Sequence, residues 1–188
     1  MLTDLKDYIK IEKNFLDDNT CRSMIKELQK VNWTEHQFYE ASTNEYNNRS
    51  GSQELDVSFN TTEHTHLIMN KLWYSIQQYQ KDLNFSWFSS WQGYSQIRYN
   101  RYNNNKKMAI HCDHITDLFD GEQKGIPTLS LLGLLNDDFE GGEFIMFDDY
   151  KIDLEQGDLL IFPSNFMYPH KVEPVTSGER YSFISWMW

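Results

Sequence analysis

The sequence predicts a mainly β protein, a sandwich or jelly roll with N-terminal helices packed along one of its sheets. Three observations carry that expectation. A chain of 188 residues suits one domain with a full hydrophobic core. The apolar residues recur with a helical period before about residue 90 and in short strand-like runs after it. Turn signals separate those runs every few residues. Aromatic residues make up 15% of the chain, which supplies large buried area per side chain and excludes a linker-like or disordered composition.

The first element lies in "FLDDNTCRSMIKELQKVNW", starting at Phe15. Cys21, Met24, Ile25, Leu28 and Val31 fall at three- and four-residue intervals behind an Asp/Asn/Thr cap region, the pattern of an amphipathic helix. A second helix begins near Glu63 and carries Ile68, Leu72, Ile76, Tyr79 and Leu83 on one stripe. Between them "STNEYNNRSGS", residues 42–52, reads as a polar loop. After Asn84 the period changes. "WQGYSQIRY", "MAIHCD", "IPTLSLLGLLN", "EFIMF", "DLLIF", "FMYPHKV" and "RYSFISWMW" are aromatic or β-branched runs, and "GG" at Gly141-Gly142 and "QGD" at Gln156 to Asp158 mark turns between them. Seven or eight closely spaced strands after two helices give the expected layers. The expectation is a single domain, 1–188, whose helical portion 1–90 packs on the core 91–188.

Charge and cysteine usage bound the partners. A formal charge of −11 repels phosphate backbones, so no nucleic-acid partner is expected. One local basic cluster, Arg98, Arg101, Lys106 and Lys107, reads as solvated surface, with the cationic end of its turn, Lys106 and Lys107, able to orient an acidic partner. Cys21 and Cys112 are too few for a disulfide framework, which fits a reducing, cytoplasmic setting. The opening "MLTDLKDYIKIEKNF" lacks the apolar region of a secretion signal, and no window approaches the roughly 18 apolar residues of a membrane span.

The chemistry concentrates in "HCDH", residues 111–114. On an extended strand, residues i and i+2 share a face, so His111 and Asp113 project together and Cys112 and His114 project to the other side. A third ligand has to come from a distance, and one histidine lies beyond the motif, His170 in "FMYPHKV". Two imidazoles and one carboxylate leave coordination positions open, as in non-haem Fe(II) oxygenases, whereas a structural zinc site closes its coordination and favours thiolates. Spacing alone also admits hydrogen-bonded core or surface residues. Downstream, Arg180 opens the last apolar run; its planar fork suits a carboxylate, supplied either by a ligand or by one of the chain's many acids. The remaining histidines are weaker candidates. His64 and His66 sit two apart on a helix, about 200° around its axis, and cannot share a metal. His36 lies in a polar loop. His114 reads as structural or exposed, and Cys112 as a small core residue.

Taken in order, "IRYN" or "NRYN", His111-x-Asp113, "LSLLGLLNDDFEGGEFIMF", "QGDLLIFPS" and "HKVEPVTSGERYSF" resemble the iron(II)- and 2-oxoglutarate-dependent dioxygenases, specifically the prolyl 4-hydroxylase-like branch. The resemblance runs from about Trp91 to Trp188, and the stretch from Phe15 is similar to that branch's opening helix. It implies a double-stranded β-helix, or jelly-roll, core of about eight strands. It also implies that His111, Asp113 and His170 bind Fe(II) as the catalytic centre and that Arg180 pairs with the distal carboxylate of 2-oxoglutarate. Tyr102, nine residues before His111, resembles a tyrosine of the cofactor region, and Trp186 a tryptophan lining the substrate pocket.

Two positions depart from the family pattern. Leu134 and Met108 stand where many members carry tyrosines, and Ser130 or Tyr102 are the candidates to compensate in oxoglutarate binding. The implied reaction consumes O2, converts oxoglutarate to succinate and CO2, and hydroxylates a C–H bond, with ascorbate as reductant. Asp113 as a third ligand argues for hydroxylation over halogenation. The branch suggests a prolyl residue in a protein or peptide as substrate. A free amino acid or other small molecule, and a non-catalytic metal-binding jelly-roll module, are the alternatives.

Overall fold

The computed structural model describes residues 4–40, 45–47, 53–88, 91, 93–103, 105–113 and 126–188. Along the chain they form strand β1 (Lys10–Glu12), helix α1 (Asp18–Leu28), strands β2 (Thr34–Glu35), β3 (Phe38–Glu40), β4 (Glu45–Asn47) and β5 (Asp56–Ser58), and helix α2 (Thr65–Leu83). Ten strands follow: β6 (Arg98–Tyr102), β7 (Met108–His111), β8 (Leu129–Leu134), β9 (Glu140–Gly141), β10 (Phe144–Met146), β11 (Tyr150–Ile152), β12 (Leu159–Pro163), β13 (His170–Val172), β14 (Val175–Ser177) and β15 (Arg180–Met187). Seven strands make one sheet in the order β1-β12-β8-β15-β6-β5-β2, and four make a second in the order β11-β10-β13-β7. This is a jelly roll with helices on one side.

The central strands of the large sheet are covered on both faces, so they read as unbroken apolar runs instead of alternating ones. Alternate residues serve different layers. Leu129, Leu131, Leu159, Ile161, Tyr181, Phe183 and Met187 meet the helices. Leu132, Leu160, Phe162, Ile184 and Trp186 face the small sheet and pack with Phe144, Met146 and Val172. Gly133 interrupts β8 for a packing reason: a Cβ there would lie 2.0 Å from the ring of Phe183, its cross-strand partner.

The helices form as their patterns dictate. The Asp17 carboxylate accepts from the Thr20 amide at 3.0 Å and caps α1. Cys21, Met24 and Leu28 of α1 and Ile68, Leu72, Ile76 and Tyr79 of α2 are buried on the sheet, with Ile25, Val31 and Leu83 partly buried beside them. Asn84 closes α2 in the left-handed region, with φ 50°.

Several expectations need correction. The first ninety residues are not only helical: β1 pairs with β12 and β5 with β6, so N-terminal strands extend both sides of the large sheet. Strands of three residues carry too little pattern to be read from sequence. Within the expected polar loop, Glu45–Asn47 pairs with Phe38–Glu40, and the rest of 42–52 lies outside the described residues. The run expected from Trp91 becomes a strand only at Arg98, with Tyr94 making an isolated bridge to Met187. In "FMYPHKV" the strand starts only at His170, after a turn in which the Tyr168 amide donates to the Asn165 carbonyl. No helix among the described residues is long and apolar enough to cross a membrane.

Candidate active site

The small sheet brings the two distant histidines together. His111 ends β7 and His170 begins β13, and the two are cross-strand partners. The next matched pair is Met108 with Val172, so β7 spends three residues where β13 spends two. That bulge turns both His111 and Met108 toward the interior, which a regular alternation could not do. Asp113 follows just after the strand ends, in a bend and not in the continuous strand expected from the sequence. It still meets both rings: its Oδ1 lies 3.3 Å from His111 Nε2 and 3.6 Å from His170 Nε2. One donor atom from each of His111, Asp113 and His170 lies within 4.8 Å of the others, a group able to hold a metal ion.

Each ligand candidate is held from behind. His111 Nδ1 donates to the Ala109 carbonyl at 2.8 Å and His170 Nδ1 to the Tyr168 carbonyl at 3.1 Å. A nitrogen on a carbonyl oxygen must carry the hydrogen, so both Nε2 atoms present lone pairs to the common centre. Phe144 stacks on the His170 ring at 5.2 Å and Phe162 meets it edge-on at 5.0 Å, fixing its plane. Ser130 donates to Asp113 Oδ2 at 2.6 Å. Its one hydroxyl hydrogen is thereby used, so the 2.8 Å contact with Ser164 is a bond that Ser164 donates. Burial alone would raise the Asp113 carboxyl, but when the rings are protonated the charge of His170 and the Nε2–H hydrogen bonds of both rings outweigh it and hold the group well below the usual carboxylate range, whereas neutral rings leave the Nε2 lone pairs for a metal.

Arg180, at the start of β15, is 1% exposed. Its Nη1 donates to Ser182 Oγ at 3.2 Å, and its guanidinium lies 5.1 Å from the centre of the Tyr102 ring and 5.9 Å from that of Phe139. Its Nε has no partner, and no carboxylate of the described residues comes within ion-pair distance. Desolvation accordingly lowers its pKa from the ordinary arginine value. A buried cation without an anion is costly. The site fits a ligand that brings a carboxylate. Gly142 makes room for this side chain, since a Cβ there would lie 3.1 Å from Arg180 Cδ.

Tyr102 is the cross-strand partner of Arg180, and both lie between the sheets. Ser130, expected as a cofactor contact, instead places its hydroxyl on Asp113. Trp186 is cross-strand from Ser130 on the same inner face. Met108 and Leu134, which stand where tyrosines were expected, are buried apolar residues. Cys112 is half-exposed, not core, and its thiol lies 3.5 Å from the Phe166 carbonyl. His114 lies outside the described residues.

The basic cluster divides in two. Arg101 donates to Asp56 at 2.9 Å and Lys106 pairs with the other oxygen of the same carboxylate, so neither is a free surface cation. Arg98 turns inward, its guanidinium 4.9 Å from the centre of the Trp186 ring. Sequence reasoning took Arg98 for solvated surface and passed over Phe139, Phe144, Phe162 and Ser164. Arg98 had a signal: it stands four residues before Tyr102, on the same strand face.

Comparison with known proteins agrees with this architecture. Residues 97–188 match the model of the 2OG-Fe(II) oxygenase superfamily. Over those residues, just under half of its length, the chain carries the pattern of that family of oxygenases. Among curated relatives, a PKHD-type hydroxylase of Stenotrophomonas maltophilia is 34% identical over 99 residues, covering 50% of this chain and 43% of the relative. A PKHD-type hydroxylase of Idiomarina loihiensis is 36% identical over 97 residues, covering 50% and 42%. The match thus spans less than half the length of these relatives. Among solved structures, a prolyl hydroxylase from Trichoplax adhaerens, in complex with a hypoxia inducible factor peptide fragment, superposes with a TM-score of 0.71 at 18% identity, over 96% of this chain and 83% of that one. A Pseudomonas putida prolyl-4-hydroxylase gives 0.65 at 18% identity, over 96% and 91%. At such identity these structures show the fold.

Proposed function

We propose that this protein is an iron(II)- and 2-oxoglutarate-dependent hydroxylase acting on a prolyl residue of a protein or peptide. The observation that carries the reading is the pairing of an inward-facing His111, Asp113, His170 triad with a buried Arg180 that has no anion among the described residues. Iron(II) held by the triad would supply, with oxoglutarate and O2, the oxidation of a C–H bond coupled to formation of succinate and CO2.

The chain's own residues do the rest. The Ala109 and Tyr168 carbonyls fix the imidazole tautomers, and Ser130 aims Asp113. Arg180 takes the distal carboxylate of the diacid, backed by Ser182, while Tyr102 and Phe139 keep water from the ion pair. A polypeptide substrate is supported by the exposed apolar side chains beside the ligands. Ile110, next to His111, is 56% exposed, and Phe166 and Met167, just before His170, are 74% and 43% exposed. We place the reaction in a reducing compartment, where two free thiols persist and ascorbate keeps iron ferrous.

The test is succinate formation by purified protein with Fe(II), ascorbate and oxoglutarate, with and without proline-containing peptides, and a search for a mass gain of one oxygen atom. His111→Ala or Asp113→Ala should abolish succinate formation, and Arg180→Ala should chiefly raise the oxoglutarate requirement. Normal succinate release by His111→Ala defeats the assignment.

A further inference from the structure

Arg98 stands on the face of β6 that also carries Asn100 and Tyr102, between the two sheets. Its Nε donates to Asn100 Oδ1 at 3.1 Å, and its guanidinium lies over the Trp186 ring. No carboxylate of the described residues lies within ion-pair distance of it. That is notable in a chain with 28 acidic and 17 basic residues, where the neighbouring Arg101 and Lys106 crowd onto one aspartate. The acid whose charge Arg98 feels, Asp113, faces the two imidazoles. Beside it, the indole Nε1 of buried Trp186 likewise has no hydrogen-bond partner among the described residues. Two unfilled donors therefore adjoin the triad.

These donors lie away from the oxoglutarate end. Arg180 is cross-strand from Tyr102 and Ile184 from Arg98, so the two arginines are about 13 Å apart along the strands at about 3.3 Å per residue. The head of Arg98 goes further still, toward Trp186, six residues from Arg180 on the same strand. A five-carbon diacid, with four bonds of about 1.5 Å between its ends, spans at most about 6 Å and is already anchored at Arg180.

We propose that Arg98, with the indole N–H of Trp186, forms a carboxylate subsite for the substrate, so that the molecule oxidised bears a carboxylate close to the carbon that reacts. This rests on the iron(II)- and 2-oxoglutarate-dependent hydroxylase reading and specifies the chemistry of its substrate, whether peptide or small molecule. The carboxylate belongs to the chain end of a peptide, to an Asp or Glu side chain within one, or to a free amino acid. Arg98 is a specificity-determining residue. A bidentate contact from its two terminal nitrogens distinguishes an acid from its amide, which cannot accept in the same way.

The test uses the full chain loaded with Mn(II) and oxoglutarate without O2. Metal and oxoglutarate binding are measured first by calorimetry; failure there strikes the enzyme reading itself. The loaded protein is then titrated with paired probes that differ only in the carboxylate: N-acetyl-L-proline against its amide, L-proline against L-prolinamide, and proline-containing peptides with free or amidated C-termini and with Asp against Asn. Acids should bind at least about tenfold more tightly than their amides, about 1.4 kcal/mol, in at least one pair. The pair that responds identifies the source of the carboxylate. Arg98→Gln should abolish that preference and leave the affinities for Mn(II) and oxoglutarate unchanged. Equal binding of acid and amide in every pair, or no saturable binding of any acid, overturns the proposal. So does an Arg98→Gln variant whose main defect is in oxoglutarate binding, which would assign this guanidinium to the cofactor.

Discussion

Replacing Ser130 with alanine removes one hydroxyl from a fully buried position and separates two roles for that residue. Its hydroxyl lies 2.6 Å from Asp113 Oδ2 and 2.8 Å from the Ser164 hydroxyl. A hydrogen bond to a charged group contributes about 1.5–3 kcal/mol, and leaving a buried carboxylate oxygen unpartnered costs that amount in full. Partners that orient a metal-ligating group typically change metal affinity about 10- to 100-fold, or about 1.4–2.7 kcal/mol. The two scales agree. The expected result is a 10- to 100-fold higher Kd for Mn(II) or Co(II), measured by chelator competition, with oxoglutarate affinity at saturating metal unchanged. Ser164→Ala, which touches Asp113 only through Ser130, should lose less. Unaltered metal affinity in Ser130→Ala refutes the orienting role, and a selective loss of oxoglutarate affinity returns Ser130 to the cofactor contact that the family resemblance implied.

Three further outcomes follow from the packing and the ionisable groups. Gly133→Ala forces a Cβ to within 2.0 Å of the Phe183 ring and should destabilise the fold by about 1–3 kcal/mol or more, read as a lower denaturant midpoint; an unchanged midpoint would mean that the ring is free to move aside. Burial pushes the Tyr168 phenol up to about 12, and its hydroxyl donates to the Leu5 carbonyl. The folded form holds this proton more tightly than the unfolded chain, whose tyrosines titrate near 10. Its contribution is therefore complete below about pH 10 and is lost as pH rises toward 12. Stability of the native protein should fall more steeply over that window than stability of Tyr168→Phe, and parallel slopes would contradict the burial of this phenol. Burial also pushes the Cys21 thiol up to about 11, whereas Cys112 is half-exposed. A thiol reagent on the native protein should label Cys112 and spare Cys21 until denaturant is added, as read by mass spectrometry of the peptides.

The order of elements was legible because burial leaves a periodic trace. The stripes through Met24 and Leu28, and through Ile68, Leu72 and Ile76, marked two helices with one buried face each. The aromatic and β-branched runs in β8, β12 and β15 marked strands, and the structure shows them covered on both sides. His111, Asp113, His170 and Arg180 were legible for a different reason: few residue types supply such ligands, and the segments carrying them recur in order. What lies behind them left no trace in spacing. Ser130 on Asp113, and Phe144 and Phe162 on His170, join positions far apart in the chain, and any of them reads equally well as ordinary core.

By itself the sequence determined which residues are apolar, at what period, and which side chains carry metal-ligating or anion-binding chemistry, because those properties belong to single residues and their near neighbours. The tertiary structure decided the rest. A bulge in β7 turns His111 inward where strand alternation alone would not keep it on the same face as Met108, and cross-strand pairing sets it against His170 across 59 residues of chain. Likewise, only the stacking of the two sheets leaves Arg180 buried and Arg98 facing between the sheets with no acid among the described residues, while Arg101, on the opposite face of β6 from Arg98, finds Asp56. Pairing of that kind depends on register and layer, which are properties of the folded chain.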